Sequence, residues 1–176
     1  MSDLLEEFTR PTWLPFPVIA ARLLVAAALG AAIGFEREWR NRPAGLRTHT
    51  LVCVAAAMFG VLTLEIVHMP AFARESSQID PIGVVQAVTT GVAFLAAGTI
   101  IFSRGEVHGL TTGAGLWLAG SVGLCSGLGL WQVAALGALL ALVVQGAMLT
   151  LMPPTKIDAD KNDTSEAKGT GTKPSA

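Results

Sequence analysis

The chain has 176 residues, of which 52% are hydrophobic and 14% charged, with a net charge of −1 and a mean hydropathy of +0.56. Soluble domains carry about 25% charged residues, and here the charges are also unevenly placed: between Thr48 and Pro153 they are only Glu65, Arg74, Glu75, Asp80, Arg104 and Glu106. Uncharged runs of that length exclude a soluble protein surface, and a net charge so close to zero gives no support to nucleic-acid binding.

The chain offers five apolar stretches near the roughly 20 residues that a spanning helix needs. Ahead of them, Asp3, Glu6 and Glu7 precede the first basic residue, Arg10, which is not how a cleaved signal peptide begins. The first span is expected over 18–35, with Trp13 and Phe16 at the interface and Pro15 and Pro17 in the first turn, where a missing N–H is tolerated. The second is expected over 50–69. The third, over 82–102, opens with Asp80-Pro81, a carboxylate at the N-cap followed by proline at N1. The fourth, over 107–127, is rich in glycine and has His108, Thr111 and Thr112 near its start, so the 109–115 stretch can be irregular if protein buries it. The fifth, over 130–152, stops at Pro153-Pro154. The expected domain order is a periplasmic segment (1–17), a transmembrane domain (18–152) and a polar, disordered cytoplasmic tail (153–176).

Orientation follows from the basic residues. Nine of the twelve lie in the segments that five spans place on one side: Arg37, Arg40, Arg42, Arg47, Arg104, Lys156, Lys161, Lys168 and Lys173. The other side holds Arg10 and Arg74, and Arg22 lies within the first span. The fold class is therefore an all-α integral membrane protein, a bundle of five transmembrane helices with the N-terminus out and the C-terminus in. Trp13, Trp39 and Trp131 fall at the expected interfaces, as in aromatic belts. Small residues recur four apart at Ala26, Gly30 and Gly34, at Gly115, Ala119, Gly123 and Gly127, and at Gly137 and Ala141. Such stripes let helix backbones approach closely, within one chain or across a homodimer seam.

Chemistry has few places to sit. Cys53 and Cys125 lie inside apolar runs as small hydrophobes, without the spacing of a metal site. No nucleophile and base form a pair and no phosphate loop occurs, so the chain is not read as an enzyme and no cofactor is expected, with Mg²⁺ at most a ligand. The densest polar feature runs from Glu36 to His49. Four arginines and two glutamates in so tight a turn form either a positive-inside anchor or a fitted hydrogen-bonded network of Glu36, Arg37, Glu38, Arg42, Arg47 and His49, in which the glutamates hold Arg42 and Arg47. Asp80, Gln86, Thr90, Thr111 and Thr112 are candidates for a polar pocket, Gln86 and Thr90 being four apart on one helix face. Glu65, with His68 nearby, is the acidic residue inside a span; it is a possible ion site, or else pairs with Arg22.

At the Arg-rich turn the sequence becomes specific. The string Gly34-Phe35-Glu36-Arg37-Glu38, then Arg42-Pro43-Ala44-Gly45-Leu46-Arg47-Thr48-His49, resembles the opening signature of the MgtC/SapB family of bacterial inner-membrane proteins. The resemblance continues through Gln86-Ala87-Val88-Thr89-Thr90-Gly91 and Phe94-Leu95-Ala96-Ala97-Gly98 to His108-Gly109-Leu110-Thr111-Thr112-Gly113. Gly83 stands where the family usually has an arginine, and Ala93 and Ala96 stand where it has glycines. The resemblance implies a multi-pass inner-membrane protein linked to magnesium homeostasis and, in pathogens, to survival inside host cells. It also implies regulatory contact with a membrane ATPase or transporter. Three functions remain open: regulator, carrier or channel for Mg²⁺ or another cation, and structural or lipid-binding bundle. The expected partners are the lipid bilayer, a second copy in a homo-oligomer, and that membrane ATPase or transporter.

Overall fold

A computed structural model describes residues 11–69, 80–103 and 106–151. Among them are helices α1 (Phe16–Trp39), α2 (Leu46–His68), α3 (Pro81–Gly98), α4 (Leu110–Gly127) and α5 (Trp131–Leu151). A short antiparallel hairpin, β1 (Ile101–Ser103) and β2 (Glu106–His108), stands between α3 and α4. The expected tail (153–176) and the segment before Pro11 lie outside the described residues. The chain divides into a unit ending at Leu142, which holds α1 to α4, the hairpin and the first turns of α5, and a second unit from Val143 onward.

The helix ends are set by local chemistry. Pro15 and Pro17, on either side of Phe16, start α1, with Pro15 O accepting from Val18 N at 2.8 Å. At the other end Asn41 takes φ 51°. Asn41 N donates to Glu38 O at 3.0 Å and Arg42 N to Arg37 O at 3.1 Å. This is a Schellman close, with asparagine serving in the left-handed conformation that glycine usually fills. α4 ends in the same motif: Gly129 has φ 85°, Gly129 N donates to Ser126 O at 3.0 Å, and Leu130 N donates to Cys125 O at 2.8 Å. α3 opens as its sequence predicts, the Asp80 Oδ1 accepting from Ile82 N at 2.9 Å with Pro81 at N1.

Three boundaries differ from the sequence reading. α1 continues to Trp39 and α2 begins at Leu46, so Glu36, Arg37, Glu38, Arg47 and His49 are helical and only residues 40–45 turn. α3 stops at Gly98 rather than Phe102, because the chain enters the hairpin at Ile101. The 109–115 stretch is regular helix from Leu110 onward. Gly109, at φ 88°, supplies the irregular step just before it, and a Cβ there would collide with Thr99 O.

Two clusters form the core. One joins Ala26 and Ile33 of α1, Cys53 and Ala57 of α2, Val122 of α4, and Ala134, Ala138 and Ala141 of α5. The other joins Val52 and Ala56 of α2, Val88 and Val92 of α3, and Leu116, Ala119 and Leu124 of α4. α4 contributes to both, with a face of buried small residues that includes Gly115, Ala119, Gly123 and Gly127. A Cβ on Gly127 would lie 2.7 Å from Ala57 Cα, and one on Gly123 would lie 2.8 Å from Cys53 Cα. A Cβ on Gly30 of α1 would lie 2.6 Å from Cys53 Cβ. Glycines of α1 and α4 therefore both press on Cys53 of α2, and Gly127 presses on Ala57. These small residues serve packing within the chain.

The outward faces show the reverse composition. Among its described side chains α3 buries only Val88, Val92 and Ala96, while Ile82, Phe94 and Leu95 are exposed, Phe94 by 80%. In its described first turns α5 buries Ala134, Ala138 and Ala141 and exposes Val133, Leu136, Leu139 and Leu140. Alanine and glycine thus make up much of the interior beside a few larger aliphatic side chains, while many leucines, valines and phenylalanines face outward, a pattern that close helix packing in lipid favours.

Candidate functional site

The turn between α1 and α2 lies beside the start of α4. Glu38, in the last turn of α1, extends its Oε2 to accept from Leu46 N at 2.7 Å, satisfying one of the orphan donors of α2. A Cβ on Gly45 would collide with that carboxylate, which accounts for glycine at the N-cap. Glu36 Oε1 stands 2.6 Å from Arg40 Nε, one turn on. The pair is close in charge, yet its geometry is not that of a hydrogen bond, and both Glu36 oxygens are shielded from solvent.

Arg37 faces inward and is only 4% exposed. Its Nη2 donates to Thr112 Oγ1 of α4 at 3.2 Å. His49 of α2 is fully buried. Its Nδ1 lies 2.9 Å from Gly45 O. A carbonyl only accepts, so Nδ1 carries the proton, and in the neutral ring Nε2 presents a lone pair. That Nε2 faces Gly115, where a Cβ would come within 3.2 Å of it. Thr112 and Gly115 are three apart and so share one face of α4. Gly34, one turn before Arg37, makes room for His49, since its Cβ would lie 3.0 Å from His49 Cβ. Among the described residues, Arg37 Nε and His49 Nε2 have no hydrogen-bond partner. A buried guanidinium and imidazole with spare polar capacity are costly to keep in a protein interior.

The structure thus joins two groups that the sequence left apart: Arg37 from the Arg-rich turn and Thr112 from the candidate polar pocket. It does not place Arg42 and Arg47 in the grip of the glutamates. Both arginines are exposed, Glu38 is taken by Leu46 N, and Glu36 faces Arg40. Asp80 caps α3, and Asp80, Gln86, Thr90 and Thr111 are all exposed, while Thr112 alone of that group is buried.

The far ends of α1 and α2 hold Glu65 and His68. Glu65 accepts from Trp13 N at 2.8 Å and Leu14 N at 2.9 Å, and the Trp13 ring stacks on His68 at 3.6 Å. The pair expected between Glu65 and Arg22 is replaced by other contacts. Arg22 Nη1 donates to Gly127 O at 2.8 Å, and Ser126 Oγ donates to Arg22 O at 3.0 Å. Arg22 thereby caps the C-terminal end of α4, where a cation also meets the negative end of the helix dipole. No local spacing rule announces a contact between residues this far apart in sequence.

A helical bundle with small residues inside, large apolar residues outside and a buried arginine–histidine junction at one end is the class the fold defines. The chain belongs to the MgtC family: the model of that family matches residues 23–152. It is 40% identical over 130 residues to the uncharacterized protein slr0014 of Synechocystis, covering 74% of this chain and 52% of that protein. Protein MgtC of Brucella abortus is 38% identical over 148 residues, covering 84% of this chain and 58% of that protein. An Escherichia coli K12 protein named "Putative magnesium transporter YhiD" is 33% identical over 123 residues, covering 70% and 57%. The chain thus spans a little over half the length of these relatives. No solved structure matches it.

Proposed function

We propose that this chain is a multi-pass protein of the bacterial inner membrane that serves magnesium homeostasis by regulating a partner ATPase or transporter. Five spans with the N-terminus out and the C-terminus in agree with the basic residues and with the apolar outer faces. α1 and α2 are long and apolar enough to cross a membrane. α3 and α4 have 18 residues each, about 27 Å of helix against about 30 Å of hydrocarbon. α3, with Gly91 and Gly98 facing open space, is the face on which a homo-oligomer would form.

The observation that favours regulation over transport is where the carboxylates are spent. Glu38 holds Leu46 N, Glu65 holds Trp13 N and Leu14 N, and Asp80 holds Ile82 N. A Mg²⁺ path needs about one or two carboxylates presented to a hydrated ion, whereas these are helix and chain caps. Among the described residues the buried polar groups with unused capacity include Arg37 and His49 together with Glu36, which is held against Arg40; a cluster of mixed charge suits a contact among α1, α2 and α4 better than a cation path. The transport reading rests on the name of the Escherichia coli relative. Growth rescue in low magnesium separates a fitted junction from a generic basic anchor. Arg37→Lys is expected to keep membrane abundance and to lose rescue. Full rescue by Arg37→Lys, in a strain lacking the native protein, would remove the junction from the account.

A further inference from the structure

The hairpin between α3 and α4 belongs to neither the buried junction nor the helical core, and all six of its strand residues are exposed. Its register pairs Ile101 with His108, Phe102 with Val107 and Ser103 with Glu106. Side chains alternate faces along a strand, so Phe102 and Val107 share one face, while Ile101, Ser103, Glu106 and His108 share the other. The 4.0 Å approach of His108 Nε2 to Glu106 Oε2 agrees with that division. The hairpin therefore has a purely apolar face, Phe102 73% and Val107 51% exposed, backed by a mostly polar one.

A two-stranded hairpin with no core beneath it is marginal in water. This one is fixed at its base, because Gly109 is pressed against Thr99 O where no side chain fits. Its level is also fixed. The Arg37–Thr112 hydrogen bond puts the end of α1 beside the start of α4, one short step from β2. The hairpin thus lies at the same end as the exposed Arg42 and Arg47 and the exposed rings of Phe35 and Trp39. Arginines attract anionic headgroups, and aromatic rings settle at the headgroup level. Strands this short leave backbone donors and acceptors along their outer edges, which hydrocarbon does not satisfy and the wet interface does.

We propose that the β1–β2 hairpin is a membrane-interface anchor, with Phe102 and Val107 seated in the lipid surface of the arginine-rich side and Ser103 and Glu106 turned to water. The proposal rests on the membrane-spanning reading above. Its partner is the anionic bilayer surface, chosen over a second protein because the apolar face lies at the same end as exposed arginines and exposed aromatic rings.

The test uses the full chain in vesicles of phosphatidylethanolamine and phosphatidylglycerol. Single cysteines replace Phe102, Val107, Ser103 or Glu106 in a Cys53→Ala, Cys125→Ala background and carry an environment-sensitive nitrobenzoxadiazole probe, which keeps an apolar ring at the tested position. Phe94→Cys on the outer face of α3 reports the span itself. Quenching by shallow nitroxide lipids is expected to be several-fold stronger at Phe102 and Val107 than at Ser103 and Glu106, with Phe94 also quenched by lipid. If Phe94 is quenched and all four hairpin positions report water, the anchor is overturned and the spanning reading stands. If Phe94 itself reports water, both fall. Blue-shifted emission at Phe102 without lipid quenching means a protein surface covers the face, and it overturns the anchor. Equal quenching at all four positions overturns the amphipathic division. In the unlabelled chain Phe102→Asp is expected to leave the helical circular dichroism unchanged and to speed amide exchange across residues 101–108. Unchanged exchange there contradicts the anchor.

Discussion

At the scale of single residues, the corner between α1 and α2 assigns different work to groups that look alike in sequence. Four arginines stand between Glu36 and His49, yet only Arg37 is buried, and only it reaches Thr112. Removing one partner of a buried hydrogen bond costs about 1–3 kcal/mol. Thr112→Val is accordingly expected to lower stability by about that amount, measured by chemical unfolding in detergent, while Arg42→Lys and Arg47→Lys leave it unchanged. His49 faces Gly115, where an added methyl carbon would come within 3.2 Å of its Nε2. Gly115→Ala is expected to displace the imidazole, and an unaltered nuclear magnetic resonance shift of the His49 ring in that variant would contradict the packing described. Sequence put Arg37 and His49 in one candidate network and Thr112 in a separate polar pocket, because a contact between α1 and α4 leaves no mark in local spacing. Asp80 was legible for the opposite reason: an N-cap reaches only two residues ahead. Glu38 reaches Leu46 eight residues on, across a turn whose shape depends on Asn41 taking a positive φ.

Helix pairing decides the next scale. The contact between α2 and α4 is backbone on backbone, with Gly123 and Gly127 against Cys53 and Ala57. Overpacking a tight contact costs about 1–3 kcal/mol. Gly127→Ala, whose Cβ meets main-chain atoms that cannot rotate away, is expected to reach or exceed the upper end of that range. Thermal unfolding in detergent measures it, and a wild-type midpoint would show that the helices separate without penalty. Gly91, facing open space on α3, is expected to accept alanine with no loss of monomer stability. If Gly91→Ala weakens chemical cross-linking between copies at unchanged stability, α3 is the oligomer face; undiminished cross-linking moves that face elsewhere. The four-residue spacing of small residues made these stripes readable, but not their assignment to partners. The apolar run over 82–102 concealed the end of α3, since Ile101 and Phe102 suit a strand as well as a span and the first charge after them is Arg104.

For the whole molecule, the central claim is that the bundle acts on a partner and does not itself pass Mg²⁺. Glu65, the carboxylate that sequence marks as an ion site, fastens Trp13 and Leu14 to the end of α2, with Trp13 stacked on His68. Glu65→Gln is therefore expected to loosen the segment before α1, seen as faster proteolysis there, and to leave any ion movement as it was. The long apolar runs and the stripes of small residues were readable from composition and position. The closing of Glu38 and Glu65 onto backbone donors was not, because it depends on where the helix ends meet. Purified protein in sealed vesicles loaded with a Mg²⁺-sensitive dye tests the claim most directly. Influx equal to that of protein-free vesicles is predicted, for the native chain and for Glu65→Gln alike; sustained influx into vesicles bearing the native chain, abolished by Glu65→Gln, would contradict it.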